Sequence, residues 1–473
     1  MSHAAPAAGG GLEGRANMGF VAAIVAVATI GGFMFGYDSG VINGTQQGLE
    51  QAFHLTKLGT GFNVGAVLIG CAAGAFLSGR LSDIFGRRNV MIVAALLFLI
   101  SAIGAGAANS SFMFILARLV GGLGVGSASV LAPVYISEVA PAAVRGRLTT
   151  AQQIMIIGGL TGSFVVNYLI AQWAGGSTAI VMGYPAWRWM FWVQVIPSAI
   201  FLFSLLAIPE SPRFLVARDR MAEAETVLAR LFGPAAAPAK VAEIRASLAA
   251  DHHRPRLSDL LEGGRVRPIV WAGIGLAVFQ QLVGINVVFY YGAVLWQSVG
   301  FSEADSLKIN ILSGSLSIVA CLASMAVIDR VGRKPLLLLG SAGMAVSLAL
   351  VAAAFSTATL VNGQAQLPHA AGLVALVAAN VYVVFFNGTW GPVMWVMLGE
   401  MFPNQIRGSS LAVAGFAQWI ANFAIALSFP VAAATVGLVP TYAFYAVSAL
   451  VSFFFVRALV HETRGRELEQ MVG

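Results

Sequence analysis

The chain is poor in charged residues, which occupy only 10% of its 473 positions. A soluble domain carries roughly 25% charged residues, whereas this chain is 58% hydrophobic. It therefore lacks the polar surface that a soluble protein of this length needs. Cysteine is also scarce, since Cys71 and Cys321 are the only two. Both stand in apolar runs far apart, so they indicate neither a disulfide framework nor a metal site and are predicted to pack.

The sequence also lacks the motifs of ATP-driven transport and of catalysis. The glycines between Gly121 and Gly126 follow no strand and lie within an apolar run, which favours close helix packing over a nucleotide fingerprint. The six histidines fall in the first residues, in loops or at helix ends. No Ser/His/Asp, His/Glu or Cys/His arrangement lies within an apolar segment. We therefore expect no enzyme, no cofactor and no metal.

What the sequence has is apolar blocks of about 20 residues, the length of a helix that crosses a bilayer core. The predicted fold class is an all-α membrane protein with twelve transmembrane helices. The first six are predicted at 18–40, 59–81, 89–108, 112–137, 149–173 and 187–208. The second six are predicted at 268–297, 306–328, 335–355, 373–398, 409–431 and 437–460.

Polar segments divide these helices into two halves, residues 18–208 and 268–460. Residues 1–17 are small and polar, which predicts a disordered tail, and residues 461–473 form a second tail. The first apolar block exceeds the length of a signal peptide, so we expect no cleavable one. Residues 209–267 read as a linker of short amphipathic helices, including 221–232 and 241–249, on the membrane surface.

The basic residues predict the orientation. With both termini placed in the cytoplasm, only Lys57, Arg188 and Lys308 of the 27 Lys and Arg fall in loops on the far side, and Arg118 falls within a span. Cytoplasmic loops carry the excess of Lys and Arg. Most of the charges lie in the gaps between spans, which also argues against nucleic acid as a partner.

Three loop motifs of the first half recur in the second. Asp83, Gly86 and Arg87 match Asp329, Gly332 and Arg333, Glu138 and Arg145 match Glu400 and Arg407, and Pro209-Glu210-Ser211 matches Glu462-Thr463. Such a parallel repeat is typical of secondary transporters that bind substrate between their two halves.

Further motifs identify a family resemblance. They are Gly36-Tyr37-Asp38, Arg118 with two glycines after it, Pro209-Glu210-Ser211-Pro212-Arg213, Gln280-Gln281 with Gly284-Ile285-Asn286, and Trp390-Gly391-Pro392 with Trp395. In this order they resemble the sugar porter family of the major facilitator superfamily, which includes proton-coupled bacterial symporters and facilitative glucose transporters. The resemblance implies transport of a monosaccharide by alternating access, with a monomer sufficient. His461 departs from the proline usual in the family.

The loop charges are predicted to join helix ends into a latch on the cytoplasmic side. The latch residues are Asp83, Arg87, Arg88, Glu138, Arg145, Glu210, Arg213, Asp329, Arg333, Glu400 and Arg407. The alternative is that the positive charges only set topology. Topology depends little on carboxylates, whereas carboxylates accompany the basic residues in both repeats, so the latch is favoured.

Asp38 and Arg118 are the predicted proton-coupling pair. The first predicted helix runs outward and the fourth runs inward, so both residues reach a similar depth in the outer half of the membrane. Ionisable residues there usually pair and face a cavity. The proton-coupled relatives also carry Asp at this position. The alternative is a structural ion pair.

Amide and aromatic side chains within the spans form the predicted sugar site, because amides both donate and accept hydrogen bonds to hydroxyls and aromatic faces suit a sugar ring. These residues are Gln153, Gln280, Gln281, Asn286, Trp390, Gln418, Trp419 and Asn422, and the resemblance supports most of them. Many relatives carry a second glutamine where Leu160 stands, so a changed hydroxyl preference is expected. Phe33, Tyr290 and Tyr291 either close the cavity from outside or serve as packing.

The sequence thus favours proton-coupled symport of a hexose or pentose across a bacterial inner membrane. The alternatives are a facilitative uniporter for the same sugars and, with less support, a sugar sensor that does not transport. A sensor of this kind is expected to carry a long cytoplasmic signalling tail.

Overall fold

Helices dominate the structure, a computed structural model that describes residues 17–141, 145–250, 260–262, 264–361, 364–403 and 406–464. Most of both predicted tails lies outside these ranges. The first set of helices is α1 (Met18–Val41), α2 (Gln46–Phe53), α3 (Lys57–Phe85), α4 (Arg87–Ala107), α5 (Ser111–Val139), α6 (Arg145–Ala174), α7 (Ala186–Val193) and α8 (Val195–Ala207). A 3₁₀ turn, Ile42–Gly44, joins α1 to α2.

Three short helices follow, namely α9 (Pro212–Ala217), α10 (Met221–Phe232) and α11 (Ala237–Ala250). The second set is α12 (Pro268–Leu282), α13 (Ile285–Ser298), α14 (Glu303–Val331), α15 (Arg333–Phe355), α16 (His369–Gly388), α17 (Trp390–Met401), α18 (Arg407–Thr435) and α19 (Leu438–Leu459). Three two-stranded antiparallel hairpins complete the described residues: β1 (Ile180–Val181) with β2 (Tyr184–Pro185), β3 (Leu261–Glu262) with β4 (Arg265–Val266), and β5 (Thr359–Val361) with β6 (Gln364–Gln366).

Twelve helical segments of the described residues are long and apolar enough to cross a bilayer, which confirms the predicted membrane fold. Three predicted spans are each a pair of helices, namely α7 with α8, α12 with α13, and α16 with α17. Gly284, with φ of 80°, separates α12 from α13, and Thr389, with φ of −137° and ψ of −85°, separates α16 from α17. Broken helices at membrane depth occur where backbone is buried in protein or lines a cavity.

Capping side chains explain where several helices begin. Thr56, Ser110 and Ser302 precede α3, α5 and α14, and each accepts a hydrogen bond from a backbone N–H in the first turn. Those N–H groups have no partner within the helix. The caps extend α3 and α14 beyond the predicted spans toward one membrane face.

The glycines of α5 allow it to pack directly on α3, as predicted. A Cβ at Gly122 would lie 2.1 Å from the carbonyl oxygen of Val67, and a Cβ at Gly126 would lie 2.1 Å from that of Cys71. Both native cysteines are buried and free, in agreement with their predicted packing role. Helices associate closely in membranes where small residues let backbones approach.

The two sets of helices meet along two seams, where α3 packs on α18 and α6 packs on α14. The basic face is the end of the bundle that carries the first residues of α4 and α15 together with α9, α10 and α11. The end that carries the 3₁₀ turn and α2 is called here the opposite face.

Candidate functional site

Asp38 and Arg118 form a fully buried ion pair near the opposite face. Arg118 Nη1 donates to Asp38 Oδ1 at 2.9 Å, and Arg118 Nη2 donates to the Asp38 carbonyl oxygen at 3.0 Å. The guanidinium also lies 5.8 Å from the centre of the Phe191 ring. Helix α1 ends three residues beyond Asp38 and α5 begins seven residues before Arg118, so the matching depths bring the two charges together.

Gln194, which sequence reasoning missed, is a third member of this group. It is buried between α7 and α8, and its Nε2 donates to Asp38 Oδ1 at 2.9 Å. The sequence did contain a signal for Gln194, because it is a lone amide within the apolar segment 187–208. Polar groups at membrane depth require partners, so a buried partner could have been expected. The structure therefore gives Asp38 a neutral neighbour as well as a charged one.

Five of the amides predicted for sugar binding lie on α12, α13 and α18 and are called here the amide series, and four of them are hydrogen-bonded to one another. Gln418 Nε2 donates to Gln280 Oε1 at 2.5 Å, and Gln281 Nε2 donates to the same oxygen at 3.3 Å. Asn286 Nδ2 donates to Gln281 Oε1 at 2.5 Å, and Asn422 Nδ2 donates to the Tyr290 hydroxyl at 3.3 Å. Gln280 uses both donors and both acceptor sites within the protein, whereas the other amides of this series still have hydrogen-bonding capacity for a hydroxylated ligand.

The break at Gly284 shapes the amide series. Gln281 lies in the last turn of α12, and Asn286 lies at the start of α13, on the far side of a residue with positive φ. In an unbroken helix, residues five apart are separated by about 140°. The break instead brings their side chains into direct contact. A Cβ at Gly284 would lie within 2.7 Å of the Tyr445 ring, so the position accommodates only glycine.

The predicted aromatic members differ in how far a ligand can reach them. The Trp390 ring is fully buried, and its Nε1 donates to the carbonyl oxygen of Leu337 and to Ser341 Oγ, both at 3.0 Å. Trp390 contributes its backbone, because Gln280 Nε2 donates to its carbonyl oxygen at 3.3 Å. Trp395 on the same helix is 40% exposed, so it is the tryptophan of α17 whose ring is accessible.

Helix α6 supplies the predicted Gln153, which is half-buried. Its neighbour Gln152 is buried with both amide atoms unpartnered among the described residues, and a Cβ at Gly32 of α1 would lie 2.8 Å from this amide. Leu160 is buried, and its Cδ1 would lie 2.9 Å from a Cβ at Gly40. The residue at position 160 therefore packs on α1 in this conformation.

Trp419 of α18 joins the amide series to the first set of helices. Its ring centre lies 5.9 Å from that of Phe35 on α1, and it follows directly after Gln418. Phe33 lies one turn before Tyr37 on α1, and the centres of the Phe33 and Tyr37 rings are 6.1 Å apart. Tyr290 and Tyr291 of α13 are both buried, and the Tyr291 hydroxyl donates to the Ala426 carbonyl oxygen at 2.5 Å.

At the opposite face, Asn43 ties the first set of helices to α13. Its Nδ2 donates to the Phe289 carbonyl oxygen at 2.8 Å, and its Oδ1 accepts from the Ala293 N–H at 2.9 Å. An unbroken helix would bond these two backbone groups to each other. Asn310 Nδ2 also donates to Asn43 Oδ1 at 2.8 Å, and Gln46 donates to the Tyr290 carbonyl oxygen. These buried contacts close the opposite face.

Replacing Asn43 by alanine is expected to open the opposite face more often. The change removes hydrogen bonds worth about 1–2 kcal/mol together, and Phe289 and Ala293 can then bond each other. In a Phe289→Cys background, a membrane-impermeant maleimide should react roughly 5- to 30-fold faster in the Asn43→Ala protein. Ser298→Ala on the same helix should leave the rate unchanged, and equal rates for both variants would contradict the closure assigned to Asn43.

The predicted latch residues of the first set form a cluster at the basic face. Arg87 pairs with Asp83 at 3.0 Å and with Glu138 at 3.1 Å. Glu210 accepts from the backbone N–H groups of Arg87 and Arg88 at 3.0–3.1 Å and thereby caps α4. Gly86 has φ of 99°, and a Cβ there would lie 2.2 Å from Glu210 Oε2, so the cap requires glycine.

Arg88, Arg145 and Arg213 complete the predictions for this cluster. Arg88 Nε donates to the Leu205 carbonyl oxygen at 2.9 Å, and its Nη2 donates to the Leu206 carbonyl oxygen at 2.8 Å. Arg88 thus binds the last turn of α8, where a cation is favoured. Arg213 is half-buried in α9. The side chain of Arg145 lies outside the part of the protein that the structure describes.

The second set repeats this cluster. Arg333 pairs with Asp329 at 2.9 Å and with Glu400 at 2.8 Å, and Arg407 Nη2 donates to the Phe402 carbonyl oxygen at 3.0 Å. Glu462 accepts the backbone N–H groups that start α15, at 3.1 and 2.9 Å, as Glu210 does for α4. The repeated sequence motif matches these two glutamates, but Glu462 is missing from the predicted latch.

Glu462 lies beyond the last span and is ionised at neutral pH. Burial opposes its ionisation, but hydrogen bonds from the backbone N–H groups of Arg464, Arg333, Lys334 and Thr463 outweigh burial and hold its pKa below the ordinary value. The ion pairs that Arg87 and Arg333 make with carboxylates at the basic face each join helices of one set. The predicted closing of the basic face by these residues therefore stays a prediction, and the structure shows clamps within each set.

Replacing Glu400 by glutamine is expected to slow transport more than it weakens sugar binding. Glu400 joins α17 to α15 through Arg333, and it joins α17 to the segment after α19 because Thr463 donates to its Oε2 at 2.6 Å. The change therefore loosens both connections at the basic face. A loss of about 1–2 kcal/mol lowers turnover roughly 5- to 30-fold. Counterflow rates and sugar affinity should be measured together. Glu223→Gln, in an exposed pair on the same face, is the control, and a matching loss of affinity would disprove the clamp.

Known proteins share this sequence pattern and this fold. Residues 24–472 match the family described as Sugar (and other) transporter. The Glucose transport protein of Synechocystis sp. is 48% identical over 462 residues, which span 97% of this sequence and 98% of that protein. The D-xylose-proton symporter of Escherichia coli is 37% identical over 96% of each of the two proteins. The inward open conformation of the E. coli xylose transporter XylE has a TM-score of 0.81 at 35% identity, covering 96% of this protein and 99% of that one.

Proposed function

We propose, from the premise that this chain belongs to the sugar transporter family and has the major facilitator fold, that it carries a monosaccharide, a hexose or pentose, across the membrane together with a proton. Sugar transport follows from the family. Proton coupling and the choice of sugar are the proposal. Since the closely related Synechocystis protein is named for glucose and the E. coli protein for xylose and protons, D-glucose is the first sugar to test and D-xylose the second.

The buried pair of Asp38 and Arg118 carries the proton-coupling proposal. A carboxylate with no exposed surface is costly to keep ionised in a bilayer unless a partner stays in place. Arg118 supplies that partner here. If Arg118 moves between conformations, the carboxylate binds a proton in one and releases it in the other, which is the requirement for coupling.

A link between the proton pair and the amide series supports co-transport rather than two separate functions. The hydroxyl of Tyr290 accepts from Asn422 of the amide series. Gln46, eight residues after Asp38, donates to the Tyr290 carbonyl oxygen. Sugar bound to the amides and movement of the segment that follows Asp38 thus both act on Tyr290 of α13.

The proposed cycle alternates access between the two faces of a single monomer. The basic face is assigned to the cytoplasm because it carries most of the Lys and Arg, which places both termini there, and the bacterial relatives suggest a bacterial inner membrane. The contacts of Asn43 keep the outer face closed in this conformation. Sugar bound to Gln153, Gln280, Gln281, Asn286, Gln418 and Asn422 is released when the halves separate at the basic face.

A facilitative uniporter is the alternative, since the same amides would bind sugar and the Asp38 pair would be structural. Proteoliposomes with a pH-sensitive dye outside distinguish the two. A D-glucose or D-xylose gradient directed inward, with no initial pH gradient, should make the outside alkaline, and L-glucose should not. Sugar entry without any change in external pH would establish the uniporter.

A further inference from the structure

The side chains of Asp38 and Gln194 form half of a two-bond pair. Gln194 Nε2 donates to Asp38 Oδ1 at 2.9 Å, the same oxygen that Arg118 contacts. The second oxygen of each group, Asp38 Oδ2 and Gln194 Oε1, has no hydrogen-bond partner among the described residues. Both side chains are completely buried, where unsatisfied polar atoms are rare and each calls for an explanation.

The two unpartnered oxygens explain each other once a proton is added. While Asp38 is ionised, both atoms are acceptors, so neither can satisfy the other. A carboxylic acid and a carboxamide are complementary, because the amide N–H donates to one acid oxygen while the acid O–H donates to the amide oxygen. The first of these bonds is already made, and a proton on Oδ2 supplies the donor for the second.

We propose that Gln194 is a positioning residue for the transported proton: when Asp38 Oδ2 is protonated, it donates to Gln194 Oε1 and closes the acid–amide pair. The inference rests on the proposed proton coupling. One proton binds one carboxylate oxygen, the charge of Asp38 becomes zero, and Arg118 loses the anion that holds it. Arg118 thus serves the ionised form, whereas Gln194 gains a hydrogen bond in the neutral form.

Gln194 is the best candidate among the groups around Asp38 to accept a hydrogen bond from the protonated carboxyl group. Arg118 on α5 has only donors, and the Tyr290 hydroxyl on α13 is a partner of Asn422. Ser101 on α4 is the competing acceptor, since its hydroxyl is buried and unpartnered among the described residues. A Cβ at Gly121 would lie 2.3 Å from Ser101 Oγ and 3.6 Å from Asp38 Oδ1, so this hydroxyl lies near the carboxylate, and a Ser101→Ala variant tests it as the alternative acceptor.

Infrared difference spectra of the purified full-length protein, recorded across pH steps, test the proposal. A carboxylic acid carbonyl band should appear on acidification in the wild type and be absent from Asp38→Asn, which assigns it. In Gln194→Met, which keeps the size and removes both hydrogen bonds, the band should move to higher wavenumber because the acid loses its acceptor. Ser204→Ala, further along α8 and away from Gln194, should leave the band in place.

A second measurement uses the unmutated protein and does not depend on the folding of a variant. With ¹³C-labelled glutamine, one carboxamide carbonyl band should move to lower wavenumber with the same pH midpoint as the Asp38 band, since Oε1 gains a hydrogen bond. An Asp38 band that moves in Ser101→Ala but not in Gln194→Met would overturn the inference while leaving proton coupling intact. Absence of a titrating Asp38 band in the wild type would instead contradict the proposed function itself.

Discussion

Asp38→Asn is expected to abolish uphill accumulation of sugar. Asparagine keeps the size of the side chain and an acceptor oxygen for Arg118 and Gln194, but it removes the group that binds the proton. With no titrating group in the pair, a proton gradient has nothing to act on there. In proteoliposomes with an alkaline interior, the ratio of internal to external sugar should fall from well above one to about one. The proton gradient supplies about 1.4 kcal/mol per pH unit, and the variant should lose all of this driving force.

Sugar binding should survive this change, because the hydrogen-bond partners of Asp38 among the described residues are Arg118 and Gln194 and not the amides of α12, α13 and α18. Binding by calorimetry and exchange at equal pH are the accompanying measurements. Asp305→Asn, which removes an exposed carboxylate near the same face, controls for loss of a negative charge. A mutant that still accumulates sugar with the pH dependence of the wild type would show that Asp38 is not the coupling site.

Gln281→Ala is expected to weaken sugar binding roughly 10- to 100-fold, the equivalent of about 1–3 kcal/mol for two lost hydrogen bonds. Gln281 stands at the centre of the amide series, bonded to Gln280 on one side and to Asn286 on the other. Its removal takes away hydrogen-bonding groups for the sugar and leaves Asn286 without its present acceptor, so the neighbouring amide also loses its orientation.

Calorimetric titration of the purified variant with the transported sugar checks this loss. Gln297→Ala makes the same substitution on α13, nearer the opposite face, and should bind sugar as the wild type does. Both variants should keep a cooperative melting transition, since the bundle itself is untouched. Wild-type affinity in Gln281→Ala would remove the break between α12 and α13 from the sugar site.

Depth along the helices was enough to predict one part of the site. Because α1 and α5 run in opposite directions and each has a charge near the same membrane face, the sequence placed Asp38 opposite Arg118, and the structure joins them at 2.9 Å. Repeats did the same for the basic face, where Arg87 and Arg333 make matching ion pairs. In both cases a charge without a partner would be costly, so the chemistry leaves few arrangements.

Helix periodicity could not predict contacts that depend on breaks and on neutral groups. A continuous helix over 268–297 does not bond Gln281 to Asn286; the left-handed residue Gly284 does. Gln194 is a lone uncharged amide in an apolar segment, and the uncharged Asn43 lies beyond the predicted span 18–40, so nothing in the sequence named their partners. Trp390 and Trp395 are five residues apart on one short helix, and only packing shows which ring is buried.

The most direct test of coupled transport is sugar accumulation by the wild-type protein in proteoliposomes with an imposed proton gradient. With the interior alkaline and equal D-glucose on both sides at the start, the internal concentration should rise above the external one and fall back when a protonophore is added. An internal concentration that never departs from the external one, in liposomes that exchange labelled glucose, would contradict proton-coupled symport and leave the protein a facilitative sugar transporter.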